Sequence, residues 1–277
     1  MTDTLTARAL AFRQLHADPG CFVIPNPWDA GSARLLARMG FKALASTGAG
    51  HAFSCGLTDG AVGREGMMAH LREMAATTDL PLSADLENGF GAAPETVANT
   101  LRLAATTGIV GGSIEDSSGD RAEPLYPMAL ATERIRAAVE AARDLPFPFT
   151  LTARAENYFI GQPDLADTIR RLQAYQEAGA DVLFAPGLRT REDIAAVVSS
   201  VDRPVNVLMG MEGVTLTVAD LEALGVKRIS VGGSFARAAY GAFLRAAKEV
   251  QEKGSFGYAD EAISGRDITR LLRKPPG

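Results

Sequence analysis

Two acidic stretches decide the reading of this chain: Leu80-Pro81-Leu82-Ser83-Ala84-Asp85-Leu86-Glu87-Asn88-Gly89-Phe90-Gly91 and Ile109-Val110-Gly111-Gly112-Ser113-Ile114-Glu115-Asp116. Each passes from a short apolar run into carboxylates, as a buried strand does where it surfaces at its C-terminal end. About thirty residues separate them, the length of one strand–helix–strand unit. Carboxylates crowded at neighbouring strand ends repel one another and resist desolvation, so a cation is expected among them. A hard divalent metal with oxygen ligands is the simplest choice. Mg²⁺ (or Mn²⁺) suits the pattern, because Mg²⁺ binds through one or two direct carboxylates and keeps waters that further carboxylates can hold. The expectation is an enzyme.

The same grammar repeats on both sides of these stretches. Strand candidates are Phe22–Ile24, Ala43–Ser46, Leu82–Ala84, Gly111–Glu115, Phe149–Ala153, Val182–Ala185, Val205–Leu208 and Ile229–Val231. Helical patterns lie between them, over Ala30–Met39, Arg64–Ala76, Pro94–Thr106, Thr132–Ala142, Pro163–Ala178, Arg191–Ser199, Val218–Leu224 and Ser234–Glu252. Asp29, Pro94 and Pro163 carry start signals, and Gly40, Gly108, Gly179 and Gly225 carry stop signals. Eight such units predict an α/β chain of the (β/α)₈ TIM-barrel class, one domain over 1–277. Residues 255–277 form a C-terminal helical extension, with Glu261–Leu272 periodic enough for a helix.

Catalytic groups of this architecture gather at the C-terminal ends of the strands. Those ends carry Asn26 and Asp29; Ser46-Thr47-Gly48; Asp85 and Glu87; Glu115 and Asp116; Arg154 and Glu156; Pro186-Gly187; Asn206; and Gly232-Gly233-Ser234. Asp29 is explained as a helix cap, and Arg154 beside Glu156 also fits a structural ion pair. Gly232-Gly233-Ser234 could open a phosphate cradle, a short and weak motif.

These residues resemble the isocitrate lyase/phosphoenolpyruvate mutase superfamily, from Pro25-Asn26-Pro27-Trp28-Asp29-Ala30-Gly31-Ser32-Ala33 through Gly232-Gly233-Ser234. Asp85–Gly91, Ile114-Glu115-Asp116 and Ala153-Arg154-Ala155-Glu156 are the most specific parts. The resemblance implies Mg²⁺ at the strand ends, α-oxo acid chemistry through an enolate, and homo-oligomers that swap the last barrel helix between subunits, here a dimer of dimers. Asp85, Glu87 and Glu115 match the metal cluster, with Asp59 as an outer member. Ser46, Thr47 and Gly48 match the segment that holds a substrate carboxylate, and Arg154 matches the arginine that clamps the oxo acid. Asn206 and Ser234 complete the substrate-binding candidates; Arg154, Glu115 and Asp59 are the catalytic ones. Glu87 departs from the aspartate that many members have at that position, and its longer arm could move it from direct to water-mediated ligand.

The loop after the fourth strand departs further. Isocitrate and methylisocitrate lyases carry a Lys-Arg/Lys-Cys-Gly-His loop there, whereas this chain reads Ser117-Ser118-Gly119-Asp120-Arg121-Ala122-Glu123-Pro124. With no thiol, an oxaloacetate decarboxylase-like lyase acting on a small 2-oxo or 2-hydroxy acid is expected. The alternatives are C–P chemistry on a phosphonate, such as phosphonopyruvate or carboxyphosphonoenolpyruvate, and a barrel that binds an oxo acid without turnover. The stretch Ser117–Pro127 is long enough for a lid.

Other chemistries find less support. None of Lys42, Lys227, Lys248, Lys253 and Lys274 sits at a strand end, where a Schiff-base aldolase needs one. His16, His51 and His70 do not share one rim, which disfavours a zinc site. Cys55 reads as a buried small hydrophobe. A net charge of −5 with no basic stretch disfavours nucleic acid and anionic membrane partners. Met1–Thr6 lacks the features of a signal peptide, and no apolar run nears the ~20 residues of a membrane span. Two cysteines, Cys21 and Cys55, in a chain of this length suit the reducing cytoplasm; the small carboxylate substrate is what the resemblance implies.

Overall fold

The computed structural model describes residues 2–273. Eight strands form one parallel sheet: β1 Phe22–Ile24, β2 Leu44–Ala45, β3 Leu82–Asp85, β4 Gly111–Glu115, β5 Thr150–Arg154, β6 Val182–Phe184, β7 Val205–Leu208 and β8 Arg228–Ser230. Their order, β1-β8-β7-β6-β5-β4-β3-β2, is that of a barrel cut open between β1 and β2. The cut is bridged where Ala45 N–H donates to Pro25 O at 3.1 Å. Asn26, 5% exposed, stitches the same seam: its Nδ2 donates to Ser46 O, and its Oδ1 accepts from Val231 and Gly232 N–H, all at 2.9 Å.

The outer ring is α2 Ala30–Arg38, α3 Gly48–Ser54, α4 Gly63–Ala75, α5 Pro94–Ala105, α6 Met128–Arg143, α7 Leu165–Ala178, α8 Arg191–Ser199, α9 Val218–Ala223 and α10 Ser234–Lys253. Local signals set several starts. Asp29 Oδ1 accepts from Ser32 N–H at 2.6 Å in a capping box, as its cap reading requires. Pro94 takes the first turn of α5, where its missing N–H costs nothing. Predicted and observed boundaries agree within one or two residues for most elements; α6 begins four residues early, at Met128.

Two helices had no counterpart in the sequence reading. Helix α3 contains two glycines and is held by the Thr47 side chain, which accepts from Gly50 N–H. Helix α1, Thr2–Ala17, closes the N-terminal end of the barrel through Ala9 and Phe12, both fully buried. The Phe12 ring lies where a Cβ on Gly111 would stand, 2.8 Å from its Cε1. Behind Phe12 comes His16, edge-on to Phe12 and to Phe22.

After α10 the chain makes a short 3₁₀ helix, Gly257–Asp260, and then α11, Gly265–Leu272. Helix α11 lies back on α2 of its own chain, where Arg34 Nη1 donates to Leu272 O at 3.1 Å. The extension therefore has an intrachain place that the sequence reading did not give it; its last residues, 274–277 with Lys274, lie outside the described residues. Helix α10 is the poorly covered element. Of its 20 residues only Ala236 is buried, while Phe243 and Leu244 are 64% and 57% exposed. No helix among the described residues is long and apolar enough to cross a membrane.

His16 gives the fold a calculable pH dependence. Its Nδ1 lies 2.8 Å from Phe12 O, which can only accept, so Nδ1 carries the proton and Nε2 accepts from Arg228 Nη1 at 3.3 Å. Burial first, and then the charge of Arg228, lower its pKa from 6.5 to about 3. Between those values the unfolded chain binds one proton more than the folded one, so stability falls as pH drops. His16→Gln should flatten that fall by up to about 1.4 kcal/mol per pH unit below pH 6. Urea titrations at pH 5 and 7 measure it; unchanged slopes would contradict a neutral buried His16.

Candidate active site

The segment after β3 is bent by left-handed backbone. Glu87 and Phe90 take φ of 49° and 59°, and Gly89 takes 75°. Such conformations cost on the order of 1–3 kcal/mol each for a side-chain-bearing residue and are held by surrounding contacts. One such contact is Arg134 of α6, 1% exposed, which donates to Asn88 O, to Gly91 O at 3.2 Å and, from β4, to Glu115 O at 3.3 Å. Its guanidinium also lies 4.0 Å over the Tyr126 ring. Arg134 thus ties both acidic stretches to one helix, a role that its place within a helical pattern did not signal.

The bend delivers Glu87 to Asp85 and to the N-terminus of α3. Gly48 N–H donates to Asp85 Oδ2 at 3.0 Å, and a Cβ on Gly48 would meet Glu87 Oε1 at 3.2 Å. Glu87 Oε1 is buried without a hydrogen-bond partner. Burial, with the charges of Asp85 and Asp59 next, raises the Glu87 pKa from 4.5 to about 7.

Arg154 is the cation at the centre. Its Nη1 meets Asp85 Oδ1 at 3.0 Å, its Nη2 meets Glu115 Oε2 at 3.0 Å, and its Nε meets Glu156 Oε1 at 2.9 Å. Burial acts to lower its pKa but is outweighed by Glu156, Glu115 and Asp85, so the group stays charged. Glu115 is raised well above the carboxylate range by burial, which Arg154 only partly offsets while Glu156, Asp85 and Glu87 add to it. Among the described residues no three acidic, histidine or cysteine side chains already converge as a coordination cage. The cation expected among these carboxylates is, for two of the three, a guanidinium fork. The donor set still fits a hard divalent cation, because Glu87 Oε1 lacks a donor and Asp85, Glu87 and Glu115 offer only oxygen.

The other expected residues are distributed unevenly. Ser46, 2% exposed, uses its hydroxyl to accept from Asp85 N–H at 2.8 Å, and Thr47 caps α3, so this segment braces the cluster. Asp59 lies exposed on the cavity lining, its pKa raised by partial desolvation and by Asp85. Asn206 is 1% exposed and bonds Ser230 and Arg228 within the barrel. Ser234 sits against Gly210 and is absent from the lining of the main cavity. Asp116 turns away from the rim, its carboxylate taken by Arg171 at 3.0 Å, Tyr175 at 2.6 Å and Glu156 N–H at 2.8 Å.

No thiol reaches this cavity. Cys21 and Cys55 are both free and neither lines it; Cys55 is exposed rather than buried as expected. His51 stacks on His70 at 3.6 Å and is likewise absent from the lining. After β4 the chain forms a small hairpin, with Ser117 paired antiparallel to Leu125 and Ser118 N–H donating to Pro124 O at 2.9 Å. Ser117 and Gly119 face the cavity, which opens to about 2110 Å³ at the C-terminal ends of the strands.

Comparison with known proteins agrees with this geometry. A solved lyase/mutase-type protein of Burkholderia cenocepacia J2315 superposes with a TM-score of 0.97 at 58% identity, covering 98% of each chain. A structure of phosphonopyruvate hydrolase with oxalate and Mg²⁺ superposes with a TM-score of 0.84 at 25% identity, covering 95% of this chain and 94% of that one. Oxaloacetate decarboxylase of Bradyrhizobium diazoefficiens is 28% identical over 207 residues, 72% of this chain and 70% of its own. The model of the phosphoenolpyruvate phosphomutase family matches residues 12–251. The chain belongs to that family, and so to the isocitrate lyase/phosphoenolpyruvate mutase superfamily of enzymes.

Proposed function

We propose that this enzyme is a divalent-metal-dependent lyase that breaks a C–C bond of a small 2-oxo or 2-hydroxy acid, leaving a pyruvate-type enolate, and that it resembles oxaloacetate decarboxylase in action. The observation that carries the reading is the buried, unpartnered Glu87 Oε1 beside Asp85, in a set of carboxylates sharing one guanidinium. Asp85, Glu87 and Glu115 would hold Mg²⁺ or Mn²⁺, which supplies a Lewis acid for the oxo oxygen where negative charge grows. Arg154 keeps a permanent positive charge beside the same oxygen and orients the acid end of the substrate. Cleavage of an oxo diacid sends the bonding pair into the enolate and releases CO₂, and solvent returns the proton. No base or thiol is needed, in keeping with a cavity that no cysteine lines. The Mg²⁺–oxalate complex of phosphonopyruvate hydrolase supports a second reading, C–P cleavage on a phosphonate.

The metal assignment is tested at Asp85. Asp85→Ala should lower Mg²⁺-dependent pyruvate release from oxaloacetate by on the order of 10²–10³-fold, as losing a charge-stabilising group does. Calorimetry should show metal affinity falling with it. Intact affinity and rate would remove the assignment, and turnover of phosphonopyruvate alone would promote the second reading.

We also propose that the hairpin Ser117–Pro127 closes over bound substrate. Arg121 is its only basic residue, so trypsin reports on it. Cleavage after Arg121 should slow several-fold with Mg²⁺ and oxalate together, an ordering effect of lid closure. An equal rate with and without them would count against a lid.

Assembly is proposed through α10. Phe243, Leu244 and Val250 present apolar surface that a monomer leaves wet, and such patches mark interfaces. We expect a tetramer, a dimer of dimers with α10 packed across subunits. Phe243→Glu with Leu244→Glu should shift sedimentation to a smaller species; a wild-type monomer at micromolar concentration would refute it.

A further inference from the structure

One buried charge has no part in the chemistry above. Pairing in register joins Glu115, Arg154, Phe184, Asn206, Arg228 and Phe22 across β4, β5, β6, β7, β8 and β1. Partners in parallel register face the same side of a sheet, so with Arg154 turned into the barrel, Arg228 is turned inward as well. Glu115, Arg154 and Phe184 end their strands, whereas Arg228 begins β8, so the line descends from rim to interior. Arg228 Nη2 donates to Thr152 Oγ1 at 2.9 Å, and Thr152 lies two residues below Arg154 on β5, roughly 6–7 Å along the strand.

Arg228 is 5% exposed, yet it lines the same cavity as Asp85 and Arg154. Its hydrogen-bond partners are all neutral: Asn206 Oδ1 at 2.9 Å, Thr152 Oγ1 and His16 Nε2. Among the described residues no carboxylate pairs with it, which leaves one N–H on each terminal nitrogen unengaged. Burial alone lowers its pKa, to about 9, with no acid nearby to oppose the shift. A buried arginine with no counter-charge is rare, because the desolvation cost is ordinarily offset by an anion.

We infer that Arg228 is the floor of the substrate site, where its guanidinium receives the distal carboxylate of a diacid whose oxo-acid end lies against Arg154 and the carboxylate cluster. This rests on the oxo-acid reading above and narrows it, from small acids in general to diacids. Two anionic ends then meet two cations at different depths, and a monoacid leaves the lower cation unpaired. The contact acts on binding. A carboxylate held in an ion pair is stabilised against loss as CO₂, so Arg228 lowers KM for a diacid and does not raise kcat.

The test reads equilibrium binding of 2-hydroxy acids, which lack the oxo group that decarboxylation needs, so it does not depend on that turnover. Calorimetry at saturating Mg²⁺ compares malate, a diacid, with lactate, its monoacid counterpart, on wild type, Arg228→Met and Arg228→Lys. Arg228→Met should weaken malate by about 30-fold or more, as losing one partner of a buried charged pair does, and leave lactate within about twofold. Arg228→Lys, which keeps the charge, should restore part of the difference. Equal losses for both ligands would mean that Arg228 only supports Asn206 and Thr152, and unchanged malate binding in a folded Arg228→Met protein would overturn the inference outright. Wild-type preference for malate that disappears in Arg228→Met, with no turnover of any oxo diacid, would remove the lyase reading and still support the subsite.

Discussion

The fork of Arg154 is the constraint on which the rim of this barrel depends. It takes one carboxylate from β3, one from β4 and one from the segment after its own strand, all within 3.0 Å. A buried ion pair is weak evidence of stability, because desolvating the charges costs about what their attraction returns. Removing one partner is different, since it leaves the others buried and unpaired, at about 3–5 kcal/mol. The three acids and the arginine therefore stand or fall together. The arrangement is also short of positive charge, because one guanidinium faces three acids and a fourth, Glu87, is not among those the fork reaches. Its pKa is raised by burial first and by the charges of Asp85 and Asp59 next, and a divalent cation would match the same oxygens in charge and hardness.

Most of the fold was legible because each strand–helix unit carries its own punctuation. Caps such as Asp29, first-turn prolines such as Pro94 and closing glycines such as Gly179 act locally, so the sequence states them locally. Helix α1 was missed because its apolar residues are spread around the helix instead of gathered on one face; Ala9 and Phe12 are buried by tertiary contact with the barrel end. Helix α3 was missed because Gly48 and Gly50 lower its propensity, and tight packing requires at least one of them. A Cβ on Gly50 would stand 2.9 Å from that of Trp28.

The site was legible in its acids and in Arg154, which ends a strand as they do, and illegible in its other arginines. Asp85, Glu87 and Glu115 stand out because carboxylates end apolar runs. An arginine inside a helical pattern announces nothing by position: Arg134 looks like the solvent face of α6, yet it is among the most deeply buried side chains. Arg228 was missed for a sharper reason. With the last strand begun at Ile229, Arg228 falls in a loop; begun at Arg228, period-two alternation turns it into the barrel. A shift of one residue in a strand boundary thus separates a surface cation from a buried one. Partners far apart in sequence, such as Arg154 with Asp85, leave no local signal at all.

The interior of the barrel follows from the same register. Barrel centres are ordinarily filled by layers of branched apolar side chains. Here the inward line from Glu115 to Arg228 is mostly polar, broken only by Phe184, and Thr152, Asn206 and Ser230 are buried beside it. Every buried polar group must find a partner, and these largely find one another: Asn206 bridges Arg228 and Ser230, and Arg228 bridges Asn206 and Thr152. The network leaves two N–H groups of Arg228 unengaged and its charge uncompensated, since all of its acceptors are neutral. Apolar side chains of similar volume would pack without that imbalance, so stability alone does not account for an arginine there. The rim and the interior thus present opposite deficits along one shaft, a missing cation above and a missing anion below. A small diacid brought in with a divalent metal, as proposed above, would supply both.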